Sequence, residues 1–132
     1  LGSLVMSLAL PYDSDQARAI AAAISAILTG TAYLASAEIA AIKQTFDEFS
    51  PNAHAMLKVI NMHRQYAREI PEAHCSEEQR NAAKDSGDQA VDAGAKTGYR
   101  NAQATVLAPT GTIGFMMDCD TTGIPRASER NC

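Results

Sequence analysis

The chain has no tryptophan, and its phenylalanine and tyrosine residues make up only 5% of 132 residues. Alanine accounts for about a fifth of the sequence, so the average buried side chain removes little area from water, at about 25 cal/mol per Å². Hydrophobic residues at 46% and charged residues at 20% are ordinary for globular proteins and exclude a disordered or low-complexity chain. We therefore expect one folded domain, or a piece of a larger one, whose thin core needs neighbours.

Positive charge is also scarce, because 11 Lys and Arg residues stand against 15 Asp and Glu residues for a net charge of −4. Sequence-independent binding to nucleic acid requires a cluster of basic side chains, and its absence excludes this function. Three cysteines, Cys75, Cys119 and Cys132, form an odd set without a Cys-x-x-Cys motif. They indicate neither a disulfide framework nor a zinc site, so we expect a cytoplasmic chain with no nucleic-acid partner.

Long hydrophobic runs are missing as well. The longest run, Ala19 to Leu28, has about half the length of a bilayer-spanning helix and contains Ser25, so we expect no membrane span. The apolar residues 1–10 lack the positive flank and the small-residue cleavage site of a signal peptide. The first residue is not methionine, and we expect coding sequence to be missing in front of it.

The longest predicted helix follows Asp13 and Gln16, which stand at capping-box spacing before an alanine-rich stretch. Apolar residues recur there at spacings of three and four and predict a core-facing stripe. Gly30 interrupts the stretch and indicates either a break between two helices or the close approach of another backbone. The stripe consists of Ile20, Ile24, Ile27, Leu28, Thr31, Leu34, Ala35, Ile39, Ile42 and Phe46.

Two further helices are predicted from their ends. Ser50 is expected as the N-cap of the first, with Pro51 at its first helical position. Ser76 and Gln79 form a capping box for the second, and Gly98 is placed to end it. The least polar face of this last helix is too small to drive folding by area, so we expect it to pack at close range; it comprises Ala83, Gly87, Ala90, Val91 and Gly94.

The pattern changes after these helices. Residues 102–108 alternate in polarity and predict a short strand that stops at Pro109, so the fold class is a helix-rich α/β protein. The following turn around Gly111 joins a strand end to a helix start, where unpaired N–H groups and the helix dipole suit a phosphate or diphosphate. The alternative is an ordinary turn in which a threonine caps the next helix.

Several segments carry a family resemblance. They are Arg100–Gln103, Thr105–Gly114 and Met117–Ile124, preceded in order by Leu1–Met6, Pro11–Ser14, Thr29–Tyr33 and Ser36–Ala40. Together they resemble the large catalytic chain of adenosylcobalamin-dependent (class II) ribonucleotide reductases. The resemblance covers most of residues 1–124, is weakest over residues 46–96, and leaves residues 125–132 as a polar tail without a counterpart.

The resemblance implies a partial segment of a ten-stranded α/β barrel. In that family a cobalamin-generated thiyl radical abstracts the ribose 3′ hydrogen, and a cysteine pair supplies electrons that reduce ribonucleotides to deoxyribonucleotides. The implied partners are a ribonucleoside di- or triphosphate and the remainder of the catalytic chain, and the parent family's cofactor is adenosylcobalamin. The turn matches the family's substrate-phosphate loop, whose residues here are Ala108, Pro109, Thr110, Gly111, Thr112 and Ile113.

None of the three cysteines matches the family's radical or redox cysteines, which the resemblance places outside this chain. We therefore expect a fragment without a catalytic residue, which neither binds adenosylcobalamin nor turns over substrate alone. Cys119 is expected to be a small buried residue, and the His74-Cys75 pair an exposed loop.

The other polar candidates point to no site. His54 and His63 lack a partner at metal-ligand spacing and are expected on a helix surface, and Glu38 is expected to be solvated or ion-paired. A different class of function stays open: a self-sufficient α-helical interaction or scaffold protein whose Gly/Thr turn is only a helix cap.

Overall fold

The computed structural model describes residues 1–108 and 110–118. Five α-helices lie within these residues, and a short 3₁₀ turn at Glu72–His74 separates the third from the fourth. The helices α2, α3 and α4 pack on one another, with the closest association between α2 and α4. The helices are α1 Gly2–Ser7, α2 Asp15–Lys43, α3 Phe49–Arg68, α4 Glu77–Thr97 and α5 Gly111–Met116.

The predicted strand at residues 102–108 is wrong: the described part of the chain contains helices and turns but no strand. A strand needs a neighbouring strand to complete its backbone hydrogen bonds, and this segment lies beside α2 and α3 instead. Within the segment Ala104 N–H bonds the Tyr33 Oη of α2 at 3.4 Å, and immediately before it Asn101 N–H bonds the Ser36 Oγ of α2 at 2.9 Å. The helix-rich character of the prediction is confirmed.

Helix α2 runs unbroken through Gly30 for 29 residues. Its N-cap is Ser14, whose hydroxyl accepts from Ala17 N–H at 3.1 Å, so the predicted cap at Asp13 is off by one residue. A Cβ on Gly30 would lie 2.6 Å from Ser86 Oγ and 2.7 Å from the Ser86 carbonyl carbon. Of the two alternatives for Gly30, the close approach of another backbone is confirmed.

The core-facing stripe predicted for α2 is largely wrong. Of its members only Ile20 is buried, whereas Leu28, Ile39 and Ile42 are 57%, 43% and 85% exposed. The helix buries its small side chains instead, because α4 presents alanine and glycine at a distance that large residues cannot enter. The buried residues of α2 are Ala17, Ala19, Ile20, Ala21, Ala23, Gly30, Tyr33, Ser36, Ala37 and Ala40.

Helix α4 confirms its predicted ends and its predicted face. Both hydrogen bonds of the capping box between Ser76 and Gln79 are present, and Gly98 ends the helix with φ +69° and donates to Gly94 O at 2.9 Å. All five predicted face residues are buried. The packing at Gly94 is so close that a Cβ there would lie 2.0 Å from the Tyr99 ring, which shows why this face has no large side chain.

Helix α3 begins earlier than its cap signal predicts. Phe49 is its first residue and Glu48 its N-cap, so the assignment of Ser50 as the cap and Pro51 as the first position is wrong. Phe49 is half-buried, and its ring packs edge-on against Phe46 and Tyr99. The contact with Tyr99 joins residues that are distant in sequence, so no local signal predicts it.

Helix α2 is long and apolar enough to cross a membrane by length and composition alone, with a mean hydropathy of 1.6 over 18 residues. The run Ala19 to Leu28 underestimates the apolar length of this helix, because small and aromatic residues continue the apolar character beyond Leu28. In the structure 39% of that 18-residue window is buried, and the helix packs its small residues against α4.

Candidate functional site

The segment after α4 runs back along α2 toward the candidate turn. Three side chains of α2 contact it at intervals: Ser36 bonds Asn101, Tyr33 Oη accepts from Ala104 N–H at 3.4 Å, and Thr29 Oγ1 lies 3.2 Å from Thr105 Oγ1. The order of the contacts is reversed, so the segment runs antiparallel to the helix. These contacts hold the chain that leads into the turn.

The segment is also fixed where it leaves α4. Tyr99 is fully buried, donates from its hydroxyl to Ala90 O at 2.9 Å and packs edge-on against Tyr33 with ring centroids 5.6 Å apart. Burial raises the pKa of Tyr99 to about 12, with a smaller contribution from the neighbouring Tyr33. The phenol therefore stays protonated and serves as a hydrogen-bond donor at neutral pH.

The candidate turn opens α5. Thr110 is the N-cap, and Gly114 N–H donates to its carbonyl oxygen at 2.7 Å, which is the first hydrogen bond of the helix. The N–H groups of Gly111, Thr112 and Ile113 precede that bond and have no partner inside the helix. The Thr110 side chain makes no capping bond to them.

Gly111 leaves the start of α5 open. A Cβ at this position would meet no heavy atom of the described chain within 4 Å. Its backbone does not require glycine either, because Gly98 is the glycine with positive φ in the described residues. The missing side chain therefore gives an incoming group access to the main chain, and exposed N–H groups at a helix start attract an anion.

The structure places the predicted site residues together along one short stretch. Ala108, Thr110 and Thr112 are exposed, Gly111 is partly exposed and Ile113 is 56% exposed. Pro109 lies outside the described residues, as do Cys119, Cys132 and the tail 125–132. The arrangement offers backbone donors and two hydroxyl groups to solvent, and it includes no titrating side chain.

Cys75 lies in the predicted loop between the 3₁₀ turn and α4, but it is buried rather than exposed. It is 8% exposed and packs in a core cluster with Ala19, Ala67 and Ala83, and its thiol lies 3.3 Å from Gln79 Oε1. Burial raises the pKa of the Cys75 thiol, an effect that Arg80 partly offsets. A protonated, buried thiol is a packing group rather than a nucleophile.

The remaining polar candidates behave as predicted. His54 and His63 are exposed on α3, and Glu38 is exposed on α2. Across residues 1–108 and 110–118 no group of three or more His, Cys, Asp or Glu side chains could hold a metal ion. The described chain therefore offers no metal centre.

A large groove was missed from the sequence. It has a volume of about 710 Å³ and lies between α2, α3, α4 and residues 102–107, with Tyr33, His63 and Arg64 among its lining residues. Its walls come from four elements that are distant in the chain, so no local motif signals it. Arg64 is its cationic side chain, and its Nε lies 3.9 Å from Asp88 Oδ1.

Comparisons with known proteins agree on one family. The family described as "Ribonucleotide reductase, barrel domain" matches residues 1–129. Proteins named vitamin B12-dependent ribonucleotide reductase from Rhodopirellula baltica and Agrobacterium fabrum are 50% identical over 124 residues and 48% identical over 139 residues. A protein of the same name from Streptantibioticus cattleyicolor is 40% identical over 132 residues.

Each of these matches covers 94% of this chain, but only 12%, 11% and 21% of the respective relatives. The chain thus spans a small part of the proteins that it resembles, and its helix-rich architecture corresponds to a partial segment of their barrel. The chain belongs to the ribonucleotide reductase barrel-domain family.

Proposed function

We propose that this chain carries the substrate-phosphate loop of a vitamin B12-dependent ribonucleotide reductase, formed by residues 108–113. The observation that carries the proposal is the open start of α5, where Gly111 and Thr112 present unpaired N–H groups and Thr110 does not cap them. Family membership supplies a reason for an anion at this place, since the relatives are named as reductases of ribonucleotides.

The loop would bind and orient the substrate rather than react with it. Backbone N–H groups of Gly111 and Thr112, with the hydroxyl groups of Thr110 and Thr112, suit the phosphate oxygens of a ribonucleoside di- or triphosphate. Held phosphates fix the ribose relative to the reacting groups, which lowers the entropic cost of reaction. The whole enzyme would then convert the ribonucleotide to a deoxyribonucleotide.

Adenosylcobalamin would serve the parent protein rather than this segment. The candidate loop offers backbone N–H groups and threonine hydroxyl groups, which suit phosphate oxygens rather than a corrin ring, so we propose that other segments of the parent protein hold the cofactor. The cofactor supplies radical chemistry when bound, and none of the residues discussed here takes part in that step.

The remainder of the catalytic chain is the proposed protein partner. Large apolar side chains are exposed on α2, on the segment before the turn and on α5, including Ile42 at 85%, Val106 at 73% and Phe115 at 76%. Water-exposed apolar groups of this size are favourably covered by other parts of a barrel. We also propose a cytoplasmic location, where ribonucleotides are present.

A nucleotide titration of the 132-residue chain, followed through its backbone amides, tests the proposal. We expect ADP and ATP to shift the amides of Gly111 and Thr112, and adenosine, which lacks phosphate, to leave them unchanged. Comparing ADP with ATP distinguishes the preferred phosphorylation level. Thr112→Val should weaken binding, whereas Thr31→Val, at an exposed threonine of α2, is the matched control and should not.

The opposite result favours the scaffold alternative. If neither nucleotide moves these amides at millimolar concentration, the turn is not a phosphate loop. If the shifts appear instead around Arg64 and His63, the anion binds in the groove and the assignment of residues 108–113 is wrong.

A further inference from the structure

We propose that Ser36 is a positioning residue that sets the register of the segment leading into the phosphate turn. Ser36 lies on α2, and its hydrogen-bond partners are Arg100 and Asn101, which precede the turn in the chain. The inference rests on the proposed function of residues 108–113, and it adds the part of the fold that determines where those residues lie.

We call the three α2 side chains that contact the returning segment the tethers. Thr29, Tyr33 and Ser36 are separated by four and three residues, so they share one face of the helix. Their partners on the returning segment are Thr105, Ala104 and Asn101. The helix face thus acts as a template along which the segment is aligned.

The second step is that the Ser36 contact is specific for one residue. Ser36 Oγ accepts from Asn101 N–H at 2.9 Å and donates to Asn101 Oδ1 at 3.0 Å, while Ser36 O accepts from Arg100 N–H at 3.0 Å. Ser36 is 2% exposed and is the buried polar side chain among the described residues. If the segment slipped by one residue, the Asn101 side-chain oxygen would leave the Ser36 hydroxyl, which would then lack an acceptor. An unsatisfied buried hydroxyl is costly.

The third step connects the tethers with the turn. Gly114 is the residue that α5 buries, and α5 has no extensive packing with another helix of the described chain. Between Thr105 and Thr110 the described residues are exposed. The position of the turn therefore depends on the last contacts before it in the chain, which are the contacts with α2.

The experiment compares Ser36→Ala with Ser25→Ala in the 132-residue chain. Ser25 lies on the same helix and is half-buried, and its hydroxyl makes no hydrogen bond within the described residues. We expect Ser36→Ala to shift the amides of residues 101–113 in the free chain and to weaken ADP binding about five- to tenfold, the loss of one or two hydrogen bonds. Ser25→Ala should do neither.

Two variants of Asn101, the exposed partner of Ser36, distinguish an effect on the position of the turn from a loss of folding. Asn101→Ala removes the acceptor for the Ser36 hydroxyl and keeps the backbone bond from residue 101 to Ser36 Oγ. It should reproduce the amide shifts and the weaker ADP binding of Ser36→Ala, and it should lower the thermal midpoint modestly, because the buried hydroxyl then lacks an acceptor. Asn101→Asp keeps that acceptor and should retain ADP binding within about twofold.

The outcomes are distinguishable. If the wild-type chain binds no ADP, the proposed function fails, and the amide shifts of the free chain still test the register. If the wild type binds ADP and Ser36→Ala and Asn101→Ala bind it equally well with unshifted amides at residues 110–113, the positioning role is overturned. A lower thermal midpoint with an unchanged turn and unchanged binding would also overturn it, because it would make Ser36 a packing residue only.

Discussion

Gly94 and Gly111 show how one residue type serves two regions of this molecule. A Cβ on Gly94 would lie 2.0 Å from Tyr99, whereas a Cβ on Gly111 would meet nothing within 4 Å. In the core, glycine lets the Tyr99 ring approach α4, and at the start of α5 it leaves open space, which the proposed function assigns to phosphate. The same absence of a side chain thus indicates packing in one region and access in the other.

The largest expected effect comes from filling the core position. We expect Gly94→Ala to lower the free energy of unfolding by about 3 kcal/mol, at the upper end for overpacking, because the fully buried Tyr99 ring cannot move aside. Chemical denaturation followed by circular dichroism measures it.

Gly87→Ala is the matched control on the same helix face. A Cβ there would lie 3.4 Å from the Arg64 Cα and Cγ atoms, so the protein should be as stable as wild type or slightly more stable, by up to about 1 kcal/mol from helix propensity. Equal destabilisation by both variants would show that the contact with Tyr99 is not the cause.

The second-largest effect is expected at Gly111, the glycine at the open start of α5. We expect Gly111→Ala to weaken ADP binding about tenfold, because the added methyl group hinders the approach of a phosphate to the main chain. The free energy of unfolding should change by less than about 0.5 kcal/mol, since no protein atom is displaced. Calorimetric titration measures the binding, and denaturation of the same sample measures the stability. If Gly111→Ala lost stability and bound ADP as well as wild type, Gly111 would serve packing rather than access for phosphate.

The smallest effect concerns Tyr99, which links the two regions. Tyr99→Phe removes the hydrogen bond to Ala90 O and should cost about 1 kcal/mol at neutral pH. The control is Tyr66→Phe, at a tyrosine that is 63% exposed on α3, and we expect this change to cost almost nothing.

The same tyrosine predicts a pH dependence. Burial raises its pKa from 10.0 to about 12, so the folded chain keeps a proton that the unfolded chain releases between pH 10 and 12. The contribution to stability is complete below pH 10 and declines as the pH rises through 12. Unfolding measured over this range should show a steeper loss of stability for wild type than for Tyr99→Phe; parallel curves would contradict the raised pKa.

The sequence predicts those parts of the fold that depend on local chemistry. The capping box at Ser76 and the helix end at Gly98 were correct, because each is complete within a few residues. The small face of α4 was also correct, since a row of alanine and glycine can bury itself only at short range. The close approach at Gly30 was one of two readings that local sequence left open.

Features that depend on distant partners could not be predicted in the same way. The α2 stripe was wrong because which face is buried depends on α4, and large residues such as Ile39 and Ile42 remain outside. The strand at residues 102–108 was wrong because the segment lies against α2, where Ala104 N–H bonds Tyr33 Oη, and has no neighbouring strand among the described residues. The loop at Cys75 was correct but its exposure was wrong, because the burial of this residue depends on contacts with α2, α3 and α4. For the candidate site the residue types come from the turn itself, while the tethers that hold it come from α2.

The most direct test of the phosphate loop is a structure of the 132-residue chain bound to ADP. The account predicts phosphate oxygens about 2.7–3.2 Å from the backbone nitrogen atoms of Gly111 and Thr112. A nucleotide seated in the groove beside Arg64, with residues 110–113 in contact only with solvent, would contradict it.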